Sequence, residues 1–161
     1  MRRRRLIHLA GVGLTVGGTG CIGGSNVDED APTDERLRQR AQGGMGSVMS
    51  NEITVQVTEE DSNYGVTIRY MLPSGGDRLS VKNALYETSK AVYDSSDASE
   101  VAYVEVVAIQ TLIDQYGNED EYIVGQGRLP ADEGRRINWD GVIIQDVWSL
   151  AEQKEFPNDV L

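Results

Sequence analysis

One histidine, His8, and one cysteine, Cys21, occur in 161 residues, and both lie among the first 21. Beyond them the chain lacks the atoms for Ser-His or Cys-His nucleophile pairs, histidine general bases, histidine ligation of haem and His/Cys zinc sites. Serine with lysine remains as a nucleophile pair. No Ser-x-x-Lys spacing occurs, however, and Ser80 with Lys82 or Ser89 with Lys90 would point in different directions from a helix. The 26 acidic residues raise two further chemistries, two-carboxylate hydrolysis and an oxygen-ligand cation site. Asp94, Asp97 and Glu100, or Asp114, Glu119 and Asp120, are the loops that would carry them. Neither loop has the spacing of a calcium-binding hand, and solvated charge runs are the plainer reading. Tyr116, Trp139 and Trp148 could form a platform for a sugar or peptide, but aromatics beside an apolar helical stripe serve the core. The expectation is no catalytic residue, no metal ligand and no cofactor.

The clearest chemical signal is at the N-terminus. Arg2-Arg3-Arg4-Arg5 leads into a weakly apolar run over 6–16 and then Gly17-Gly18-Thr19-Gly20-Cys21. A basic start, about eleven apolar residues and a small-residue exit form an export segment, well short of the roughly 20 residues of a spanning helix. The stretch Arg3-Arg4-Arg5-Leu6-Ile7, with Arg3 and Arg4 as the arginine pair, and the box Gly18-Thr19-Gly20-Cys21 resemble twin-arginine-exported lipoproteins of salt-loving archaea, with Gly18 where leucine is usual. That resemblance implies removal of 1–20, a lipid on the Cys21 thiol, and a position on the outer face of the cytoplasmic membrane. The alternative is an ordinary secretory signal beside an incidental cysteine. His8 and Gly11-Val12-Gly13 fall inside the removed segment, so their partial likeness to a nucleotide loop has no meaning.

Charge agrees with that setting. The whole chain carries minus 11, and without the four signal arginines the side chains of the remainder carry minus 15. Lysine occurs only at positions 82, 90 and 154. Such a surface stays hydrated in concentrated salt, and it disfavours nucleic acid and anionic lipid, which need clustered Lys and Arg.

Three segments follow: 1–20 as signal, 21–50 as the lipidated cysteine with a flexible acidic tether, and 51–161 as one α+β domain. In the tether a short helix at 33–42 is conceivable, but Leu37 is its only large apolar residue. From residue 53, Ile53, Val55 and Val57 alternate with polar residues, and Val66, Ile68, Tyr70 and Leu72 do the same after a turn over 61–65, which predicts an antiparallel hairpin. Val81, Ala84, Leu85, Thr88, Ala91 and Val92 recur at helical spacing over 80–93, capped by Asp77 or Ser80. The apolar run 101–113 reads as a central strand. Next, 122–129 reads as a strand whose Gly125 and Gly127 share a face with Ile123 and Leu129 and leave room for a helix. Ile144, Val147, Trp148 and Ala151 form a second helical stripe, and the tail from Phe156 reads as loose. The order ββαββα predicts a two-layer sandwich, a four-stranded antiparallel sheet with helices on one face. Tyr116-Gly117-Asn118 with Ile137-Asn138-Trp139-Asp140 also resembles small extracytoplasmic domains, a likeness that implies no activity and transfers no site residue.

These features favour a lipid-anchored, non-enzymatic accessory or interaction domain that meets a cell-surface protein through a sheet edge or the region of Trp139. A solute- or cation-binding lipoprotein is the competing class, and a small carboxylate hydrolase the third. Independently of class, minus 15 on the exported part predicts that weak screening destabilises the fold. The Debye length falls from about 30 Å at 0.01 M to about 3 Å at 1 M. The melting temperature should therefore rise with salt across that range, and a flat or falling profile would contradict the halophilic reading.

Overall fold

The computed structural model describes residues 27–48, 50 and 52–157. Arg3, Arg4 and Cys21 lie outside the described residues, as do the last four. Helix α1, Thr33–Gly44, and a short 3-10 turn, Met45–Ser47, lead into the hairpin of β1, Ile53–Glu60, and β2, Asn63–Met71. Helix α2, Arg78–Tyr93, crosses to β3, Val101–Ile113, which turns back as β4, Glu119–Pro130. The single turn α3, Ala131–Gly134, helix α4, Ile144–Leu150, and the short strand β5, Glu152–Glu155, complete the order.

The class is α+β, but the sheet differs from the expected one. It has five strands in the order β1-β2-β3-β4-β5, and β2 and β3 run parallel while the other neighbours are antiparallel. The reason lies in the length of α2. Sixteen residues at about 1.5 Å each span roughly 24 Å, close to the length of the preceding strand, so the helix returns the chain to the end of the sheet where β2 began. The next strand must then be parallel. β5 adds the fifth strand, and Phe156 beyond it stacks on Trp148 at 5.3 Å between ring centroids, so the chain is packed there and not loose.

Alternation sets one sheet face against the helices. Register aligns Val55, Ile68, Val106 and Gly127 in one row and Val57, Val66, Val104 and Leu129 in the next. At Gly127 side chains of both α2 and α4 meet the sheet: a Cβ there would stand 2.7 Å from the Trp148 ring and 3.3 Å from Leu85. The room expected from this glycine is filled by those two side chains. Ile123 departs from the expectation, because Ala108 pairs with Gly125 while Ile109 pairs with Ile123, leaving Val124 as an extra residue in β4. That bulge turns Ile123 onto the opposite face from Gly125.

The tether expected over 21–50 is corrected from its second part onward. Asp28 N–H donates to the Gln39 side chain at 2.8 Å, and Leu37, Ala41 and Met45 are fully buried. Leu37 is not alone: the 3-10 turn carries Met45 onto the same stripe at i, i+4, i+8, past glycines that read as a stop. Gly44 makes that close approach possible, since a Cβ on it would lie 2.8 Å from the backbone of Glu87 and Thr88 in α2. The α2 start is capped as expected, with the Asp77 carboxylate accepting from Ser80 N–H at 2.9 Å and the Ser80 hydroxyl receiving the Asp77 N–H at 3.4 Å.

Asp97 locks α1 to the start of β3. Its side chain is 4% exposed and accepts from Arg36 Nε at 3.1 Å and from Arg40 Nε at 2.9 Å. Beside it Arg135 donates to the carbonyls of Ala98, Ser99 and Val101. Hydrogen bonds from Arg36, and then from Arg40, hold the Asp97 carboxyl below the usual carboxylate range against the opposing effect of burial. A depressed folded value means that this stabilisation is complete above the ordinary carboxylate pKa and is lost as pH falls through the lowered one. Asp97→Asn should therefore cost about 2 kcal/mol near neutral pH, the scale of hydrogen bonds to charged groups. The gap to the wild type should close in acid, measured by chemical denaturation at several pH values. A gap that persists undiminished in acid would show that the carboxylate charge is not what matters.

Candidate interaction surface

β3 and β4 outrun the other strands. β2 ends at Met71 opposite Ile109, so Gln110 to Ile113 pair only with Glu119 to Tyr122. At about 3.4 Å per residue this two-stranded arm projects roughly 13 Å before its turn. The turn is set by one carboxylate: Asp114 accepts from the N–H groups of Tyr116 at 2.8 Å and Asn118 at 2.9 Å and from the Asn118 side chain at 2.8 Å. The Asn118 side-chain and backbone bonds hold the Asp114 carboxyl below its usual range. Gly117 closes the turn at φ +85°, a left-handed conformation that suits glycine.

The arm displays apolar side chains. Leu112, Ile113, Tyr116, Tyr122 and Ile123 account for five of the eight large hydrophobic residues that are exposed among those described. Tyr116 at the tip is 81% exposed. Clustering matters more than any single exposed residue, because scattered ones are ordinary and contiguous ones mark contacts. Around them stand Asp114, Glu119, Asp120 and Glu121, with no Lys or Arg between residues 112 and 123. Glu121 receives Arg69 at 3.2 Å across the open sheet face, and the Thr111 hydroxyl reaches the Met71 sulfur at 3.7 Å.

Nearer the start of β3 the same face is closed by polar contacts. The Arg128 guanidinium lies 4.0 Å from the Tyr103 ring centroid and pairs with Glu105 at 3.3 Å, while the Thr67 hydroxyl donates to Glu105 at 3.3 Å. On this face of the sheet the exposed large apolar side chains thus lie on the arm; Leu79, Ile143 and Leu150 are exposed elsewhere.

No family model, curated protein or solved structure matches the chain. Its surface has to be read on its own chemistry.

The residues singled out in the sequence are dispersed. Trp139 is buried, stacked parallel on Tyr93 at 6.4 Å, and donates its indole N–H to the Gly134 carbonyl at 3.2 Å, so the region expected to meet a partner is core. Trp148 is buried against Gly127 and Phe156, which leaves Tyr116 as the exposed member of the three aromatics. The Asp97 carboxylate is engaged by two arginines, and Asp114 by its own turn. Among the described residues no three His, Cys, Asp or Glu side chains converge as a metal site. Ser80 is occupied by the α2 cap, and Lys82 reaches Gln145 at 3.2 Å. An open depression of about 440 Å³ lies between Val48, Leu72, Pro73 and the start of α2, with Ser47, Ser74, Ser80 and Asn83 as its polar side chains and no ionisable group.

Sequence reasoning does not find Ile123 and Leu112 as surface residues. An alternating strand pattern gives no sign of a bulge, and the apolar run 101–113 gives no sign that its last residues pass the end of the helix layer. Because Asp114 organises the tip, Asp114→Ala should speed hydrogen exchange at the Tyr116 and Asn118 amides severalfold while leaving the melting temperature of the domain nearly unchanged. Equal exchange in both proteins would mean that strand pairing and Gly117 set the tip without the carboxylate.

Proposed function

We propose that this chain is an exported accessory domain, held by a lipid on Cys21 at the outer face of the cytoplasmic membrane, that binds a cell-surface protein through the β3–β4 arm. The observation that carries the reading is the placement of two features at opposite ends of β3. Val101 begins the strand beside Asp97 and its arginines from α1, where the chain enters the fold; Ile113 ends it at the apolar arm. The strand that joins them is 13 residues long, about 40 Å when extended. From Cys21 to Asp28 the chain can span at most about 25 Å. On this reading the entry end stays within that reach of the lipid, and the arm stands at the other end of β3.

An interaction role suits the chemistry better than catalysis or solute capture. The arm combines exposed aromatic and aliphatic side chains with a fixed tip, which costs little ordering on binding. The open depression beside α2 offers hydroxyls and an amide but no charge to orient a solute or a reaction.

The test uses the full chain in a salt-loving archaeal host, with a photo-crosslinking residue placed at Gln115. The wild type should remain in the membrane fraction and give a discrete crosslinked species, which Tyr116→Ser with Ile113→Ser should abolish without loss of folding. Cys21→Ser should move the protein to the medium, because one thiol-linked lipid is the anchor. Crosslinks unaffected by the arm substitutions would remove the arm from the reading, and equal membrane retention of the Cys21 variant would remove the lipid.

A further inference from the structure

We infer that the outer edge of β4 over residues 119–124 is a docking edge that accepts an extended partner segment carrying alternate cationic and apolar residues. The inference rests on the proposed role of the arm and states the form of its partner.

Three observations carry it. First, the edge is open: β5 pairs with β4 only at Gln126 and Arg128, so the preceding part of β4 has β3 on one side and no strand on the other among the described residues. Unpaired N–H and C=O groups in a row are a template for an added strand. Second, the protection of this edge is of one sign: between residues 119 and 124 there is neither Pro nor Lys, the charges on it are Glu119, Asp120 and Glu121, and beside them Tyr122 and Ile123, ahead of the bulge at Val124, are exposed. The other edge, β1, differs: its Ile53, Val55 and Val57 pack towards the core, and its exposed residues are Thr54, Gln56, Thr58 and acids. Third, charge selects the occupant. Glu119 and Glu121 stand on one face of the arm and Asp120 on the other, and among the described residues only Glu121 of these three has a cationic partner, Arg69. A strand bearing Lys or Arg opposite these acids gains, since opposite charges on paired strands stabilise them. A second copy of this arm would bring acids against acids. Main-chain hydrogen bonds would then supply affinity, and the acidic and apolar side chains the selection.

The probe is a synthetic strand, acetyl-Lys-Val-Lys-Val-Lys-Val-Lys-amide, with acetyl-Glu-Val-Glu-Val-Glu-Val-Glu-amide as its charge-reversed counterpart, added to the full chain in detergent near 0.15 M KCl, where the Debye length is about 8 Å. The lysine peptide should slow hydrogen exchange at residues 119–124 about tenfold at ten times its Kd, and the glutamate peptide should not. Glu119→Lys with Glu121→Lys, both exposed and on the same face of the arm, should exchange the preferences of the two peptides. Protection of β1 instead, no protection by either peptide, or an arm already protected by dimers seen in sedimentation without peptide would each overturn the inference. If the edge stays unprotected while tip substitutions still abolish the cellular crosslink, the docking edge falls and the arm's role stands. If both fail, the reading of the arm falls with it.

Discussion

A carboxylate shared between two arginines fixes how this molecule is put together. Asp97 is nearly inaccessible to water, and a charge in that position requires partners. Arg36 and Arg40, one turn apart on α1, supply them across about sixty residues of sequence. The pair does more than neutralise the acid. It places α1 against α2 and the start of β3, brings Leu37, Ala41 and Met45 into the core, and gives the entering chain a defined end of the sheet. Arg135 reinforces the same end by binding three backbone carbonyls around the start of β3, so the helix after β4 is drawn to the place where α1 is held.

From that fixed end the sheet extends with decreasing support. Near the start of β3, both faces are engaged: apolar rows under the helices, and the Tyr103, Arg128 and Glu105 cluster on the other side. Midway, the glycine at position 127 lets Trp148 and Leu85 sit directly on the sheet. Beyond Ile109 β2 no longer accompanies the pair, and the β3–β4 ribbon is stabilised by its own pairing and by the Asp114 turn. A two-stranded ribbon in water is marginal by itself. Its continuity with a packed sheet and the hydrogen-bonded tip keep it extended, which is what a protruding contact surface requires.

Much of the layout is legible along the chain. The alternation of β1 and β2, the stripe and cap of α2, the apolar run of β3 and the glycines of β4 each satisfy a local rule, and local rules hold wherever a residue's neighbours along the chain determine its environment. The α1 stripe escapes notice for a local reason too: glycines at 43 and 44 signal an end, yet here one of them permits close packing on α2. The parallel pairing of β2 and β3 follows from a comparison of helix length with strand length. Ile123 is a different matter, since one unpaired residue at Val124 reverses a face and leaves no trace in the alternation.

The sequence by itself determined the absence of histidine chemistry beyond the first 21 residues, the acidic surface, the period of each major element and the cap of α2, because composition and short-range spacing are properties of the chain alone. Tertiary structure decided which acids are structural and which face solvent, that Trp139 belongs to the core, and that Leu112, Tyr116, Tyr122 and Ile123 form one exposed arm. The physical reason is that burial and charge pairing depend on which distant segments meet. Asp97 and Asp114 look alike along the chain; one meets two arginines of α1, the other only its own turn.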